Sequence, residues 1–380
     1  MPGTPVRAGL FVGIIVVAGA CAADAPLPTP GVAVTAAWTL SPEPVLEIGG
    51  DEGPPELVFT TIASAFALPD GRIVVANRSA PAEVRVFSPE GAYQQTLGGD
   101  GERPGEFREI AWARTTVDPD TLVVYDPRLQ RVSWFSVTDG LARVEAAVLP
   151  GLNAASGDLT LLAPVHGGRF LARPNPVAGG ESGGSPGSPL LLIRFDLPAL
   201  DTLLVLTDAQ QTTSAAGPAS SGEEGAIAYR AGRVFIGRGD ELRIDEYDLA
   251  GTHVRTFLRP EERRAEGEGG QAALTARIRA ARAATIDDAD AESDEQPSAE
   301  VPPRHLLRML VDDTGHLWVE EYSPPGSPRI WSVFDPVGVW LCSVQVPRDL
   351  TLTAVRRETV YGIHRDEAGV QRVLVYGLRR

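Results

Sequence analysis

The side chains able to do chemistry in this 380-residue chain are few and scattered. All 34 basic residues are arginine, which removes Schiff-base formation and amine nucleophiles from consideration. The five histidines, His166, His253, His305, His316 and His364, stand in no His-x-x-x-His or His-x-x-Glu-His spacing, so no sequence-local zinc motif exists. That spacing leaves open ligands gathered from distant segments. No Gly-x-Ser-x-Gly elbow occurs. Cys342 lies in the apolar run Trp340-Leu341-Cys342-Ser343-Val344, where burial makes a thiol inert. The aspartates Asp51, Asp70, Asp100, Asp120, Asp126, Asp313 and Asp335 lack EF-hand spacing and fall in turns, where a carboxylate accepts hydrogen bonds from nearby backbone. Nothing here requires a cofactor or a resident metal.

The second cysteine, Cys21, has a different context. Arg7, an apolar run from Leu10 to Val17 and the small residues Ala18-Gly19-Ala20 precede it, which reads as an export signal over residues 1–20. The apolar run is too short to span a bilayer comfortably. A cysteine directly after such a signal is where bacterial lipoproteins receive diacylglycerol, so the expected lipidation site is Cys21, with the Ala- and Pro-rich residues 21–36 as a tether. The same three small residues also satisfy ordinary signal cleavage, which would release a secreted or periplasmic protein. The expected location is a bacterial envelope, with membrane contact through a lipid anchor only. The formal net charge of −16 with no basic stripe argues against nucleic acid as a partner.

Whatever positions these residues is built from repeats. Ile48-Gly49-Gly50-Asp51 followed by Pro55-Glu56-Leu57 is echoed about fifty residues later by Leu97-Gly98-Gly99-Asp100 followed by Pro104-Gly105-Glu106-Phe107. Turn-and-strand units follow each, Pro69-Asp70-Gly71-Arg72-Ile73-Val74-Val75 and Pro119-Asp120-Thr121-Leu122-Val123-Val124, and then Val84-Arg85-Val86-Phe87 and Val132-Ser133-Trp134-Phe135. Fainter copies end in the aromatics Phe195, Tyr247, Phe334 and Tyr376, which makes six units. A period of this length holding several turn-bounded strands predicts an all-β fold, a six-bladed β-propeller over residues 37–380. The sixth unit stops before a fourth strand, so the segment Trp38 to Ile48 is expected to supply it and close the ring. A Gly-, Ser- and Pro-rich loop, Asn175 to Pro189, interrupts the third blade. An insertion at 260–303, between blades 4 and 5, is expected to carry a short amphipathic helix over Gln271 to Ile286 and an acidic stretch from Asp287 to Glu300.

The Gly-rich turn before Pro104-Gly105-Glu106-Phe107, the unit Asp70-Gly71-Arg72-Ile73-Val74-Val75, and Asp312-Asp313-Thr314-Gly315-His316-Leu317-Trp318-Val319 resemble those of NHL-related six-bladed propellers exported by many bacteria. The resemblance runs from Trp38 onward and implies a fold more than an activity. The innermost strand of each blade lines the central channel of such a ring, so polar residues there are the candidate ligand contacts. In blade 2 these are Arg108, Trp112 and Arg114, on an inner strand expected over Arg108 to Thr116. In blade 5 they are His305 and Arg308, over Arg304 to Leu310. Arginines at a channel can hold a carboxylate or phosphate through paired N–H donors. The expected function is an extracytoplasmic binding or scaffold propeller engaging a protein or small-molecule partner at its channel face. The alternative is a metal-dependent hydrolase or lyase of the propeller type, lactonase-like or NHL-lyase-like, although only Asn77, Asn153 and Asn175 could supply amide ligands from asparagine.

Overall fold

The computed structural model describes residues 38–116, 120–148, 159–174, 188–194, 200–206, 227–237, 243–259, 306–321, 323 and 326–380. The chain enters through two short strands, β1 (Thr39–Leu40) and β2 (Leu46–Ile48). Blade 1 follows as β3 (Ile62–Ala67), β4 (Ile73–Asn77), β5 (Glu83–Phe87) and β6 (Tyr93–Gly98). Blade 2 is β7 (Trp112–Thr115), β8 (Thr121–Asp126), β9 (Arg131–Ser136) and β10 (Ala142–Val148). Blade 3 is β11 (Leu159–Val165), β12 (Arg169–Pro174), β13 (Ser188–Arg194) and β14 (Leu200–Leu206). Blade 4 is β15 (Ile227–Arg230), β16 (Arg233–Gly237), β17 (Arg243–Asp248) and β18 (His253–Leu258). Blade 5 is β19 (Leu306–Val311), β20 (Leu317–Glu321), β21 (Arg329–Phe334) and β22 (Trp340–Val346). Blade 6 is β23 (Leu350–Arg356), β24 (Thr359–Arg365) and β25 (Gln371–Arg379). Each blade is an antiparallel meander in sequence order, inner strand first.

The last blade borrows its outer edge from the start of the chain. β1 pairs with β25 through Thr39↔Arg379 and Leu40↔Leu378, and β2 pairs with it through Leu46↔Val375 and Ile48↔Val373. This is the closure predicted for Trp38 to Ile48, and it covers an edge that would otherwise expose unpaired backbone. The ring also closes on the inside, where Thr353 Oγ1 donates to the Ala65 carbonyl at 2.6 Å and Arg356 Nη1 to that of Ala67 at 2.8 Å. Every inner strand touches the inner strand of the next blade, and β23 touches β3.

Six apolar clusters hold this ring, one at each blade-to-blade interface of the described residues. The reason is visible in strand burial. β4 is buried at all five residues, because a second strand has a neighbouring blade on both faces. β6, an outer strand, is buried only at Leu97. The aromatics closing third strands, Phe87, Phe135, Phe334 and Tyr376, are all buried in these clusters.

The repeated Gly-Gly-Asp motif links one blade to the next. Gly98 sits at φ +84°, and a Cβ there would stand 2.3 Å from the Phe107 ring, so the turn needs both a left-handed backbone and no side chain. Asp100 then bridges Phe107 in parallel, as Gly50 bridges Val58 one repeat earlier. Two buried arginines pin these linkers. Arg85 donates to the carbonyls of Glu56 and Val58 and lies 4.9 Å from the Phe59 ring centre, and Arg131 donates to those of Glu102 and Glu106. Of the turn aspartates, Asp70, Asp126 and Asp335 accept nearby backbone N–H bonds as expected, whereas Asp313 and Asp100 accept from the distant Arg357 and Ala82.

The expected helix within 260–303, residues 175–187 of the blade 3 loop, and the signal and tether lie outside the described residues. Among the described residues the one helical element is a 3-10 turn at Pro55–Leu57, and no helix is long and apolar enough to cross a membrane.

Candidate functional site

All six inner strands run the same way around the ring, so the channel has two chemically different ends. At one, the linkers from preceding blades arrive; at the other, tight hairpins turn into the second strands. The cavity between them measures about 980 Å³, at the upper limit of small-molecule sites. Its described lining holds seven arginines against two aspartates, Asp313 and Asp349, which makes the channel positive in a protein whose net charge is −16.

At the linker end Arg308 of β19 and Arg329 of β21 flank Glu320 of β20. Arg329 Nη1 bonds Glu320 Oε1 at 2.7 Å, Arg308 Nε lies 3.7 Å from Oε2, and the Glu320 side chain is only 2% exposed. Burial pulls the Arg308 guanidinium below the ordinary arginine value, and Glu320 opposes that pull. Beside this group His364 Nε2 meets Asp349 Oδ2 at 2.6 Å, and Gln371 accepts the Ile62 N–H at 2.5 Å.

At the hairpin end stand Arg114 of β7, Arg230 of β15 and Arg356 of β23, with Asp313 after β19. Asp313 takes the Arg357 N–H at 2.8 Å and holds Arg356 Nε at 3.6 Å. Arg230 is half-buried and makes no hydrogen bond or ion pair within the described residues. Burial lowers its pKa, partly offset by the charges of Asp312 and Asp313, while Arg356 pushes in the same direction as burial. An arginine in that setting remains a cation with five N–H donors.

The residues singled out from sequence divide accordingly. Arg114 and Arg308 line the channel, one at each end, and so does Trp112. Trp112 is nonetheless a packing residue: it is 4% exposed, donates Nε1 to the Leu161 carbonyl at 2.8 Å, and sits 5.6 Å from the Tyr125 ring. Arg108 is a correction. The inner strand starts at Trp112 and not at Arg108, because the Asp100–Phe107 bridge occupies the preceding segment. Arg108 is left on the rim, half exposed and paired with Glu102 at 3.1 Å. His305 falls outside the described residues, where β19 begins one residue later. Among the described residues no three His, Cys, Asp or Glu side chains come together as a metal cage, and Cys342 is buried as expected. Arg230, Arg356 and Glu320 escaped the sequence reading. Arg230 and Arg356 stand at the last paired position of their inner strands, opposite Arg233 and Thr359, two residues past the register of Arg114.

Fold and channel together define a six-bladed β-propeller with a cationic bore. No known family's sequence profile matches the chain, and no curated protein sequence is similar to it. Solved structures do share the fold. A protein of Bacteroides fragilis described as exported superposes with TM-score 0.50 and 12% identity, over 90% of this chain and 95% of that one. A member of the DUF4221 family from Bacteroides vulgatus superposes with TM-score 0.52 and 10% identity, over 90% and 99%. A luciferin-regenerating enzyme covers a similar span at TM-score 0.46 and 12% identity, too loosely for its chemistry to bear on this chain. At these identities the likeness establishes architecture alone.

Proposed function

We propose that this chain is an extracytoplasmic binding propeller of the NHL-related type that holds a ligand, or a group of a partner protein, in its channel. The observation that carries the reading is the lining: seven arginines against two aspartates around about 980 Å³. Field lines focus in such a cleft and concentrate anions that the acidic exterior would otherwise repel. The propeller type rests on the linker and turn motifs, which have the structural roles described above.

The metal-dependent hydrolase or lyase needs donors converging from several blades. Protein purified without chelator is expected to contain no stoichiometric metal by elemental analysis; one equivalent of calcium or a transition metal, lost together with bound ligand on chelation, would move the assignment to the enzyme.

The same reading places the protein in a bacterial envelope, anchored by lipid on Cys21. A Cys21→Ala variant is expected to leave the membrane fraction and appear soluble after export, since diacylglycerol supplies the two chains that stable anchoring needs. Equal recovery of variant and parent in the membrane fraction would remove the anchor and leave free secretion.

A further inference from the structure

The cavity, the two charged clusters at its ends and the surface groove around Arg78 and Glu109 differ in one respect. Nearly every arginine on them is matched: Arg329 by Glu320, Arg78 and Arg128 by Glu109, and Arg356 by Asp313 and the Ala67 carbonyl. Arg230 is not. It closes β15 at the hairpin Arg230-Ala231-Gly232-Arg233, whose two central residues both have positive φ, +48° and +79°. That two-residue turn fixes the strand end from which Arg230 extends into the channel lining. A guanidinium drawn half out of water with no acceptor among the described residues has N–H donors to offer an anion that enters the channel.

We propose that the hairpin end of the channel is a binding site for a small oxyanion, a carboxylate or phosphate group, with Arg230 as its main contact and Arg356 beside it. This rests on the channel-binding reading and specifies its ligand class and its end. Arg230 comes from blade 4 and Arg356 from blade 6, with Asp313 of blade 5 between them. Arg356 has one N–H direction tied to Ala67 and a loose contact to Asp313, so its remaining donors can share the anion. Asp313 prevents two guanidinium groups from standing unscreened and sets a negative group beside the site. The fork of Arg230 matches two oxygens of a carboxylate or phosphate. A molecule with one anionic end and an uncharged or cationic remainder suits this arrangement better than a polyanion.

The test is isothermal titration calorimetry of the full chain with acetate, inorganic phosphate and citrate as probes, alongside melting curves. The parent should bind phosphate or a carboxylate at one site. Arg230→Met should weaken that binding about tenfold or more, and Arg230→Lys should fall between, keeping the charge and losing the fork. Because Arg230 makes no bond within the described structure, Arg230→Met should melt no lower than the parent. Binding retained by Arg230→Met and lost in Arg308→Met would put the anion at the linker end, overturning this site while leaving the channel reading intact. No probe binding by the parent would overturn both the site and the charge argument beneath the reading. A large drop in the melting temperature of both Arg230 variants would make the residue structural and overturn the proposal.

Discussion

Removing Trp38 to Ile48 is expected to lower the melting temperature of the propeller by on the order of 10–20 °C. The segment does more than add two short strands. Ile48 is 1% exposed and sits in the blade 6–blade 1 core with Phe59, Phe87, Val373 and Val375. Leu40 and Trp38 pack on the blade 5–blade 6 core. Ser41 and Val45 donate backbone bonds to Gly377 and Val375 at 2.8 and 2.7 Å. Burying one such side chain stabilises by about 1.5–3 kcal/mol, so losing Ile48 and the partly buried Leu46, Leu40 and Trp38 removes roughly 5–8 kcal/mol, comparable with the whole stability of a typical domain. The exposed edge of β25 would also invite association between chains. Deleting Ala22 to Pro30 should leave the melting curve unchanged. Circular dichroism melts of the two deletions decide the matter: a 38–48 deletion that melts like the parent would show that the ring does not depend on this strand.

Asp312→Ala is expected to destabilise the chain by about 3–5 kcal/mol, in the range for breaking a buried, fully used charge network. The carboxylate is 0% exposed and accepts from Thr314 N–H and Oγ1, His316 N–H, Trp318 Nε1 and Arg380 Nη2. Arg380 in turn lies 4.6 Å from the Trp38 ring centre, and Trp38 meets His316 edge-on at 5.2 Å. One aspartate thus fastens residues from both ends of the described chain to blade 5. Burial by itself would raise its pKa, but the bonds from Thr314 and His316, the charge of His316 and the Trp318 indole together hold it below the usual 3.8. A folded-state pKa below the unfolded one means the contribution is complete above about pH 4 and is lost as the pH falls through the folded value. Denaturant melts at neutral pH and at successively lower pH should therefore show the parent losing its advantage over Asp312→Asn in acid. A constant gap between the two down to the lowest pH would contradict the assignment.

The ring was readable because its repeats carry physical necessities. Gly98 must be glycine to admit Phe107, Gly71 must turn at φ +91°, and Phe87 and Phe135 must fill interfaces, so the same residues recur at the same spacing. The closing strand was readable for the opposite reason, an unfilled place at the sixth unit. Contacts between distant segments left no such trace. Asp312 and Arg380 are 68 positions apart, and Arg85 and Arg131 hold their linkers from different places in their strands. Arg108 misled because its neighbours alternate like a strand while the linker bridge uses that length. Arg230 left no mark in the sequence, because it stands directly before the Ala231-Gly232 turn at the end of a short strand.

The proposed meeting place of protein and ligand is the positive channel. Hydrogen exchange of the full chain with and without saturating phosphate or acetate tests it most directly. The predicted result is added protection confined to the hairpin end of the inner strands, at Tyr229 to Arg233, Asp313 to His316 and Val355 to Glu358, with the outer strands β6, β18 and β22 unchanged. Protection on the outer strands or the rim around Arg108 and Glu102, with the inner hairpins unaffected, would contradict it.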